Sequence, residues 1–390
     1  MRHLICCALI SFVAAACGPV DTGVGSSAAA ADGGPIWSGG GGAPDDADAG
    51  TPGPADAGGS PSPGPTTSSS CDGIVPVSNP NSVSASVAHQ GGDACWYFTS
   101  DGRGDVAAEA HSSNGPARWQ MWSPSGSPLG TRTGGFDLFG QTSGFEGTRS
   151  ESGSTIFARY DASGAESRRT VLGGPGCHGE SFLAVPGGAL VLGGCEKGPL
   201  TATLFDENGA PTVSRSVAPT LVDAVGLVDA NGAVLVVAWP GDAVGAPGKA
   251  AARWFDGSLS PLTGWFAVPG NGDRPALRPL AAGGAALQAG AEWTAVLRAG
   301  SSGWDGPPSF LSSHPAHDFV IVRGGRAYAL VPKSGASVPR NRLELYTPEG
   351  EHCGAGTFPA EGLSVSRDGT VIGSGGEGGC QMKWWPAVLR

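Results

Sequence analysis

The chain has 390 residues, which is enough for one large domain or two of ordinary size. Its 34 acidic residues outnumber its 23 Lys and Arg residues and give a formal net charge of -11. A field of that sign repels a phosphate backbone, so the composition excludes nucleic acid as a partner. No stretch after residue 16 approaches the roughly 20 apolar residues that a membrane-spanning helix needs.

The first seventeen residues have the pattern of an export signal. A short basic start precedes residues 4–13, an apolar run that suits a signal sequence and is too short for a membrane helix. The small residues Ala14, Ala15 and Ala16 followed by Cys17 then resemble the lipobox of bacterial lipoproteins. The resemblance implies a signal peptide at 1–16 and a diacylglyceryl group on the sulfur of Cys17. The alternative is ordinary cleavage after an A-x-A site, which leaves a soluble secreted protein.

Residues 17–70 are expected to form a disordered, lipid-anchored linker. They are rich in Gly, Pro, Ser and Ala, and they cannot bury enough apolar surface to offset their chain entropy. Gly18 stands where an Asp commonly retains lipoproteins at the inner membrane, so the resemblance favours the outer membrane of the cell envelope. Asp46 and Asp48 look like part of a calcium loop, but its twelfth-position glutamate does not follow. We therefore predict no metal and no cofactor.

The remainder, 71–390, has an all-β pattern. Short runs of Val, Leu, Ile, Ala and aromatic residues alternate with Gly, Asn-Gly and Asp-Gly turns, and no long segment has a 3.6-residue period. One series of turns recurs at intervals of about 40 to 50 residues. Its members are Asp101-Gly102, a turn near Glu146-Gly147, Gly187-Gly188, Asn231-Gly232, Gly283-Gly284, Gly324-Gly325 and Asp368-Gly369.

A second series of turns alternates with the first and follows aromatic or apolar strands. Its members begin at Trp122, Tyr160, Phe205, Phe255, Leu297 and Tyr346. Two alternating series at this period imply four strands per unit, which is typical of β-propeller blades. The sequence therefore predicts a seven-bladed β-propeller, with a segment near 74–77 supplying the missing strand of the last blade. The alternative architecture is a pair of β-sandwiches.

One unit carries a more specific resemblance. Residues 190–194 (LVLGG) followed by the aromatic-Asp turn at Phe205 and Asp206 look like a kelch repeat. The other units lack the kelch spacing to Trp. The resemblance implies a kelch-like propeller.

Six cysteines remain after the signal and Cys17 are set aside, and they read as three disulfides of an exported protein. Six cysteines allow fifteen connectivities. Cys177 and Cys195 bracket a hairpin, and Cys353 and Cys380 bracket another at what looks like the equivalent position of a blade. We therefore predict the pairs 177–195 and 353–380, which leaves Cys71 to pair with Cys95.

No catalytic constellation is evident along the chain. His314 and His317 form a local histidine pair, which we interpret as part of a solvated loop, and no G-x-S-x-G elbow is present. The leading hypothesis is a monomeric, non-catalytic binding or scaffold module, with an unknown protein or glycan as its ligand. The alternatives are an envelope glycan hydrolase or lyase with carboxylates at the central channel, and a passive surface spacer.

Overall fold

The structure is a computed structural model, and the predicted signal peptide, Cys17 and the predicted linker at 17–70 lie outside its described residues. The described residues are 71–74, 81–88, 94–111, 117–134, 137–174, 177–185, 187–246, 249–269, 275–289, 292–315, 317–333, 339–375 and 380–389.

The described residues form seven four-stranded antiparallel sheets, which are the blades of a seven-bladed β-propeller. Blade 1 contains β2 (Ala94–Ser100), β3 (Val106–His111), β4 (Arg118–Trp122) and β5 (Pro128–Thr133). Blade 2 contains β6 (Asp137–Gly140), β7 (Phe145–Glu151), β8 (Ser154–Tyr160) and β9 (Glu166–Gly173). Blade 3 contains β10 (Cys177–Val185), β11 (Gly188–Cys195), β12 (Leu200–Asp206) and β13 (Pro211–Ala218).

The other four blades repeat this order, and the prediction of a propeller is confirmed. Blade 4 contains β14 (Asp223–Val228), β15 (Val234–Trp239), β16 (Ala251–Phe255) and β17 (Phe266–Ala267). Blade 5 contains β18 (Ala276–Pro279), β19 (Ala285–Ala289), β20 (Glu292–Leu297) and β21 (Trp304–Asp305). Blade 6 contains β22 (His317–Val322), β23 (Ala327–Pro332), β24 (Arg342–Tyr346) and β25 (His352–Thr357). Blade 7 contains β26 (Glu361–Val365), β27 (Val371–Gly375), β28 (Gln381–Trp385) and β1 (Val83–Ser86).

The strands of each blade are called A, B, C and D here, from the channel outward. Because neighbouring strands are antiparallel, the A–B and C–D turns lie at one end of every blade, which we call the turn face. The B–C turns and the D–A connections between blades lie at the opposite end, the loop face. Both predicted turn series therefore lie on the turn face. In blade 2 the A–B turn is at 141–144, so the predicted turn near Glu146-Gly147 is wrong by a few residues and falls inside β7.

The helical content of the described residues is small. It consists of a 3-10 turn at Gly241–Val244, the short helix α1 at Ser309–Ser312 and a 3-10 turn at Arg323–Gly325. None of these is long and apolar enough to be a membrane span.

The repeated Asp-x-x-Gly turns have a common hydrogen-bond pattern. In the C–D turn of blade 2, Oδ1 of Asp161 accepts from the backbone N–H of Ser163 and of Ala165, and Gly164 adopts a φ of 80°. Asp206 and Asp229 accept from the same relative positions in their own turns, and so does Asp256, although Leu259, with a φ of 59°, stands there in place of the glycine. The aspartate side chain replaces a backbone acceptor, and glycine adopts the left-handed conformation without a steric penalty.

The apolar core lies between the blades. Within the described residues it divides into seven clusters, and each cluster contains residues of two neighbouring blades. Leu192 and Leu200 of blade 3 thus pack with Val234 and Val236 of blade 4. Since the inner part of every blade is covered on both faces, B strands such as β15 (VLVVAW) and β23 (AYALVP) are nearly continuously apolar. Several Trp residues are fully buried in this core: Trp119, Trp254, Trp384 and Trp385.

The last blade is completed by the N-terminal part of the chain. β1 pairs with β28, with Val83 opposite Trp384 and Ser86 opposite Gln381. The prediction that an N-terminal segment closes the ring is confirmed, but its placement near 74–77 is wrong. Ile74 instead packs, fully buried, in the cluster between blades 6 and 7. The interface between blades 7 and 1, which we call the seam, includes Trp122 and Trp384, whose ring centroids are 6.5 Å apart.

Three disulfides are present, and two of the predicted pairings are wrong. Cys177 pairs with Cys195 as predicted, since they are opposite residues of β10 and β11. Cys95, however, bonds to Cys380 across the seam, and Cys71 bonds to Cys353. Cys353 lies in the D strand β25, close to the turn face, whereas Cys380 precedes β28 at the loop face. The two were therefore not at equivalent positions of a hairpin, which was the premise of the prediction.

The C-terminal segment joins blade 6 to blade 7 on the turn face. The N–H of Leu389 donates to the carbonyl of Gly369 in blade 7, and the N–H of Arg323 in blade 6 donates to the carbonyl of Leu389. The N–H of Ala387 donates to Oγ1 of Thr370. Leu389 is fully buried.

We expect removal of the seam disulfide to destabilise the protein more than removal of the hairpin disulfide. Cys95 and Cys380 are separated by 285 residues in sequence, and Cys177 and Cys195 by 18. Because the bond between Cys71 and Cys353 remains in the variant, the loop that Cys95 and Cys380 close in the unfolded chain contains only about 50 residues, and loop entropy assigns about 4 kcal/mol to the first bond and about 3 kcal/mol to the second. Urea unfolding of C95S/C380S and of the control C177S/C195S measures the two losses. An equal or larger loss in the control would contradict this account.

Gly140, at the end of the inner strand β6, is required by a close approach between blades. A Cβ atom at this position would overlap the carbonyl of Ser100 in blade 1. We expect Gly140→Ala to lower the free energy of unfolding by about 1–3 kcal/mol, because backbone on both sides must shift. Gly264→Ala is the control, since a Cβ there meets no atom within 4 Å. Equal unfolding midpoints for the two variants would show that the contact between Gly140 and Ser100 does not exclude a side chain at position 140.

Candidate functional site

The A–B turns at the turn-face mouth of the channel are joined from blade to blade. Oδ2 of Asp101 accepts from the N–H of Gly144 in blade 2 at 2.6 Å, and Oδ2 of Asp229 accepts from the N–H of Gly284 in blade 5 at 2.9 Å. Nε2 of Gln141 donates to the carbonyl of Gly188 in blade 3. These polar side chains therefore hold neighbouring blades in register.

The Arg103-Gly104-Asp105 tripeptide lies on the A–B turn of blade 1, directly after the predicted turn at Asp101-Gly102. The N–H groups of Arg103 and Asp105 both donate to Oδ1 of Asp101. Asp105 is only 8% exposed, and burial raises the pKa of its carboxyl group. Arg-Gly-Asp is the tripeptide that integrin-type receptors bind, but a buried aspartate is not accessible to a receptor. The tripeptide therefore has a structural role in the turn.

An ion pair joins the inner strands of blades 5 and 6 toward the loop face. Nε of Arg278 in β18 lies 3.0 Å from Oδ1 of Asp318 in β22, and Nη2 contacts Oδ2, which makes the pair bidentate. Oδ1 of Asp318 also accepts from the N–H of Phe319. Paired and hydrogen-bonded in this way, Asp318 is poorly placed to act as a general base.

A group of titratable side chains lies where α1 packs against blade 6. Nε2 of His314 is 3.1 Å from Oε2 of Glu344, and the hydroxyl of Tyr346 donates to the same oxygen at 3.1 Å. Nδ1 of His314 donates to the carbonyl of Phe310 at 2.8 Å. Glu344 also raises the pKa of Tyr346 to about 12, after the larger effect of burial. The polar side chains of this cluster therefore bind one another and the backbone.

His317 is the second histidine of this group, and its interpretation as part of a solvated loop is wrong. It begins β22 and is only 6% exposed, with its ring 5.3 Å from that of His314. Its Nδ1 has no hydrogen-bond partner, and burial lowers its pKa. Nothing in the described part of the chain brings three His, Cys, Asp or Glu side chains into a geometry that could hold a metal ion.

Glu146 is a carboxylate that the sequence analysis treated only as a turn marker. It is fully buried between blades 2 and 3, with Oε1 at 3.1 Å from Nη1 of Arg159. Oε2 has no hydrogen-bond partner. Burial raises the pKa of Glu146 to about 7, against the opposing effect of Arg159. Its shifted pKa is typical of a functional carboxyl, but its lack of exposure keeps it from any substrate.

An arginine-rich network covers the outer part of blades 1 and 2. Nη1 of Arg149 donates to the hydroxyl of Tyr160 at 2.6 Å and to Oε2 of Glu166 at 2.7 Å. Nη2 of Arg132 reaches the same carboxylate oxygen at 3.0 Å, and its guanidinium lies over the ring of Tyr160. The network fastens strand D of blade 1 to blade 2.

Sequence reasoning found the six cysteines but none of these groups, whose members come from different strands. Asp318 and Arg278 are 40 residues apart, and Glu146 and Arg159 meet only because β7 pairs with β8. His314 and His317 gave the one local signal, through their spacing.

No family model and no curated protein matches this chain. The solved structures that resemble it include a protein of unknown function from Bacteroides caccae, with a TM-score of 0.39 and 11% identity over 63% of this chain and 91% of that one. A second is BBS1N in complex with ARL6DN, with a TM-score of 0.44 and 13% identity over 78% of this chain and 94% of that one. At these identities the likenesses concern architecture alone.

We expect Glu146 to make the stability fall as the pH rises from about 4.5 to about 7. Its folded pKa of about 7 lies above its ordinary value of 4.5, so the folded state binds the proton more tightly and loses this advantage as the carboxyl ionises. The shift corresponds to about 3 kcal/mol. Urea unfolding between pH 4 and pH 8 should show this fall in the native protein and not in E146Q, with E349Q as an exposed control. Parallel profiles for the native protein and E146Q would rule the assignment out.

Proposed function

We propose that the protein is a lipid-anchored propeller of the cell envelope that acts as a monomeric, non-catalytic binding or scaffold module. The observation that supports it most is the closed ring, in which β1 completes blade 7 and the bond between Cys95 and Cys380 crosses the seam. Such a ring is a rigid platform for the loops at its ends. A propeller fold is compatible with a binding role in general, and the fold alone does not identify the ligand.

The loop face is the surface that we assign to binding. On the turn face, the A–B turns around the channel are short, and their polar groups join neighbouring blades. Two long connections lie on the loop face, 240–250 within blade 4 and 306–316 between blades 5 and 6, whereas the turn face has one of similar length, the C–D turn 256–265 of blade 4. Binding residues concentrate on loops that a rigid scaffold positions.

Export is supported by the disulfides. Cysteine pairs persist in oxidising compartments, and all six cysteines from Cys71 onward are paired. The anchor itself rests on the lipobox resemblance at Cys17, and the kelch-like relationship rests on blade 3 alone; both stay predictions. Cys71 and the start of β1 both lie at the turn face, so the proposed linker leaves from that side and the loop face points away from the anchor.

The anchor is tested on the mature protein. Mass spectrometry of the N-terminal peptide should show an acylated Cys17 as its first residue, because the lipobox resemblance places cleavage before it. The native protein should sediment with membranes, and C17S should be released into the soluble fraction. An unmodified Cys17, or C17S that stays with membranes, would remove the anchor from the proposal.

The binding role is tested by screening the purified full chain against envelope glycans and secreted proteins. A ligand should be recovered unchanged, and hydrogen exchange should show protection at 240–250 or 306–316. Release of new reducing ends from a glycan would instead establish the hydrolase or lyase alternative. The absence of any ligand would favour the passive spacer.

A further inference from the structure

The loop-face connection between blades 5 and 6 is held in place by side-chain contacts. α1 has only four residues, which is too short for a helix to be stable by itself. Phe310 and Leu311 are buried between the two blades, and the ring of Phe310 stacks on those of Tyr328 and Tyr346, at centroid distances of 5.6 and 5.1 Å. We call residues 309–315 the α1 segment. Its position therefore depends on its contacts with the blades.

His314 makes a polar contact between this segment and blade 6. Nδ1 of the imidazole lies 2.8 Å from the carbonyl oxygen of Phe310, inside the segment, and Nε2 lies 3.1 Å from Oε2 of Glu344 in β24. The side chains of His314 and Glu344 are 25% and 18% exposed, so solvent screens their attraction only in part. The ring thus joins the end of α1 to the blade.

These two contacts together require the charged form of His314. A carbonyl oxygen and a carboxylate oxygen both accept hydrogen bonds, and Oε2 of Glu344 already accepts from the hydroxyl of Tyr346. A neutral imidazole has a single N–H group, so it can donate to one of the two acceptors but not to both. Loss of the proton from His314 therefore breaks one of the contacts.

His317 is the neutral member of the histidine pair. It is buried, its Nδ1 has no hydrogen-bond partner, and its ring lies edge-on to that of His314 at 5.3 Å. Burial lowers the pKa of His317, and the charge of His314 lowers it further. The pair therefore carries one positive charge, which lies on His314.

The charged groups around the pair give Glu344 other partners but give the α1 segment none. Nη2 of Arg342 lies 3.6 Å from Oε1 of Glu344, and Asp318 in β22 is paired with Arg278 in blade 5. The other ionisable groups on the elements packed here are Glu292 at the start of β20, Tyr328, Lys333 over the ring of Trp293, Tyr346, the exposed Glu349, and His352 against the ring of Tyr346. When His314 is neutral, Glu344 keeps Arg342 and Tyr346, whereas the α1 segment loses its ion pair.

We propose that the α1 segment is a pH-sensitive latch, which protonated His314 fastens to Glu344 and which loosens when His314 becomes neutral. Histidine side chains change charge between about pH 5 and pH 8, so the latch responds to mild changes of pH. The inference rests on the proposed function in one respect, because 306–316 belongs to the surface assigned to binding. The latch regulates that surface: the fastened segment is pre-organised, so a loop-face ligand should bind more tightly at the acidic end of this range.

The test is hydrogen exchange of the full chain at pH 5.5 and pH 8, with rates corrected for the intrinsic effect of pH. Protection of the α1 segment should be about three- to tenfold lower at pH 8, as expected for a partly exposed, charged hydrogen bond. β15 is the internal reference, since its blade contains neither His314 nor Glu146. Protection measured relative to β15 separates the local release from the global change of stability that Glu146 causes.

Three variants identify the groups responsible. H314Q should lower the protection at pH 5.5 and remove its pH dependence, because glutamine does not change charge in this range. E344Q should also remove the pH dependence, and it leaves α1 and both histidines intact in case H314Q disturbs the fold. H352Q is the matched control, an exposed histidine of the same blade, and it should keep the native response.

Equal relative protection of the native α1 segment at the two pH values would overturn the proposal. It would also be overturned if H314Q and E344Q kept the pH response, or if H352Q abolished it, since another group would then be responsible. These measurements need no ligand. The latch can therefore fail while the binding role stands, and the ligand screen can fail while the latch stands.

Discussion

Apolar packing between neighbouring blades is the interaction on which the rest of the structure depends. Each blade is a four-stranded sheet with two apolar faces, and it becomes stable only when both faces are covered. The ring satisfies this condition seven times, with one apolar cluster at each interface. Six of these interfaces join blades that follow one another in the chain. The seventh, at the seam, must be made by the two ends of the domain.

The seam accordingly holds several independent fastenings. β1 provides the outer strand of blade 7, and Cys95 bonds to Cys380 near the loop face. On the turn face, the hydroxyl of Ser100 donates to Asp368 across the same interface. Closure removes the exposed edges and faces of an open array, and it fixes the positions of the loops at both ends of the channel.

The repeat was readable from the sequence because its turns depend on local chemistry. Asp-x-x-Gly turns need only residues within five positions of one another, so their spacing revealed the strands and the blade number. The pairing of Cys71, Cys95, Cys353 and Cys380 depends on which elements meet after closure, and hairpin reasoning placed two bonds wrongly. The burial of Glu146 and His317 likewise depends on neighbouring elements that the local sequence does not reveal. Sequence patterns therefore predicted the architecture well and its cross-blade chemistry poorly.

The claim that the ring closes through its N-terminal part is tested most directly by mapping the disulfides. The unreduced, purified full chain is digested, and its cross-linked peptides are identified by mass spectrometry. The structure predicts one peptide pair that joins Cys95 to Cys380 and another that joins Cys71 to Cys353. Recovery of Cys71 bonded to Cys95, together with Cys353 bonded to Cys380, would contradict this account of closure.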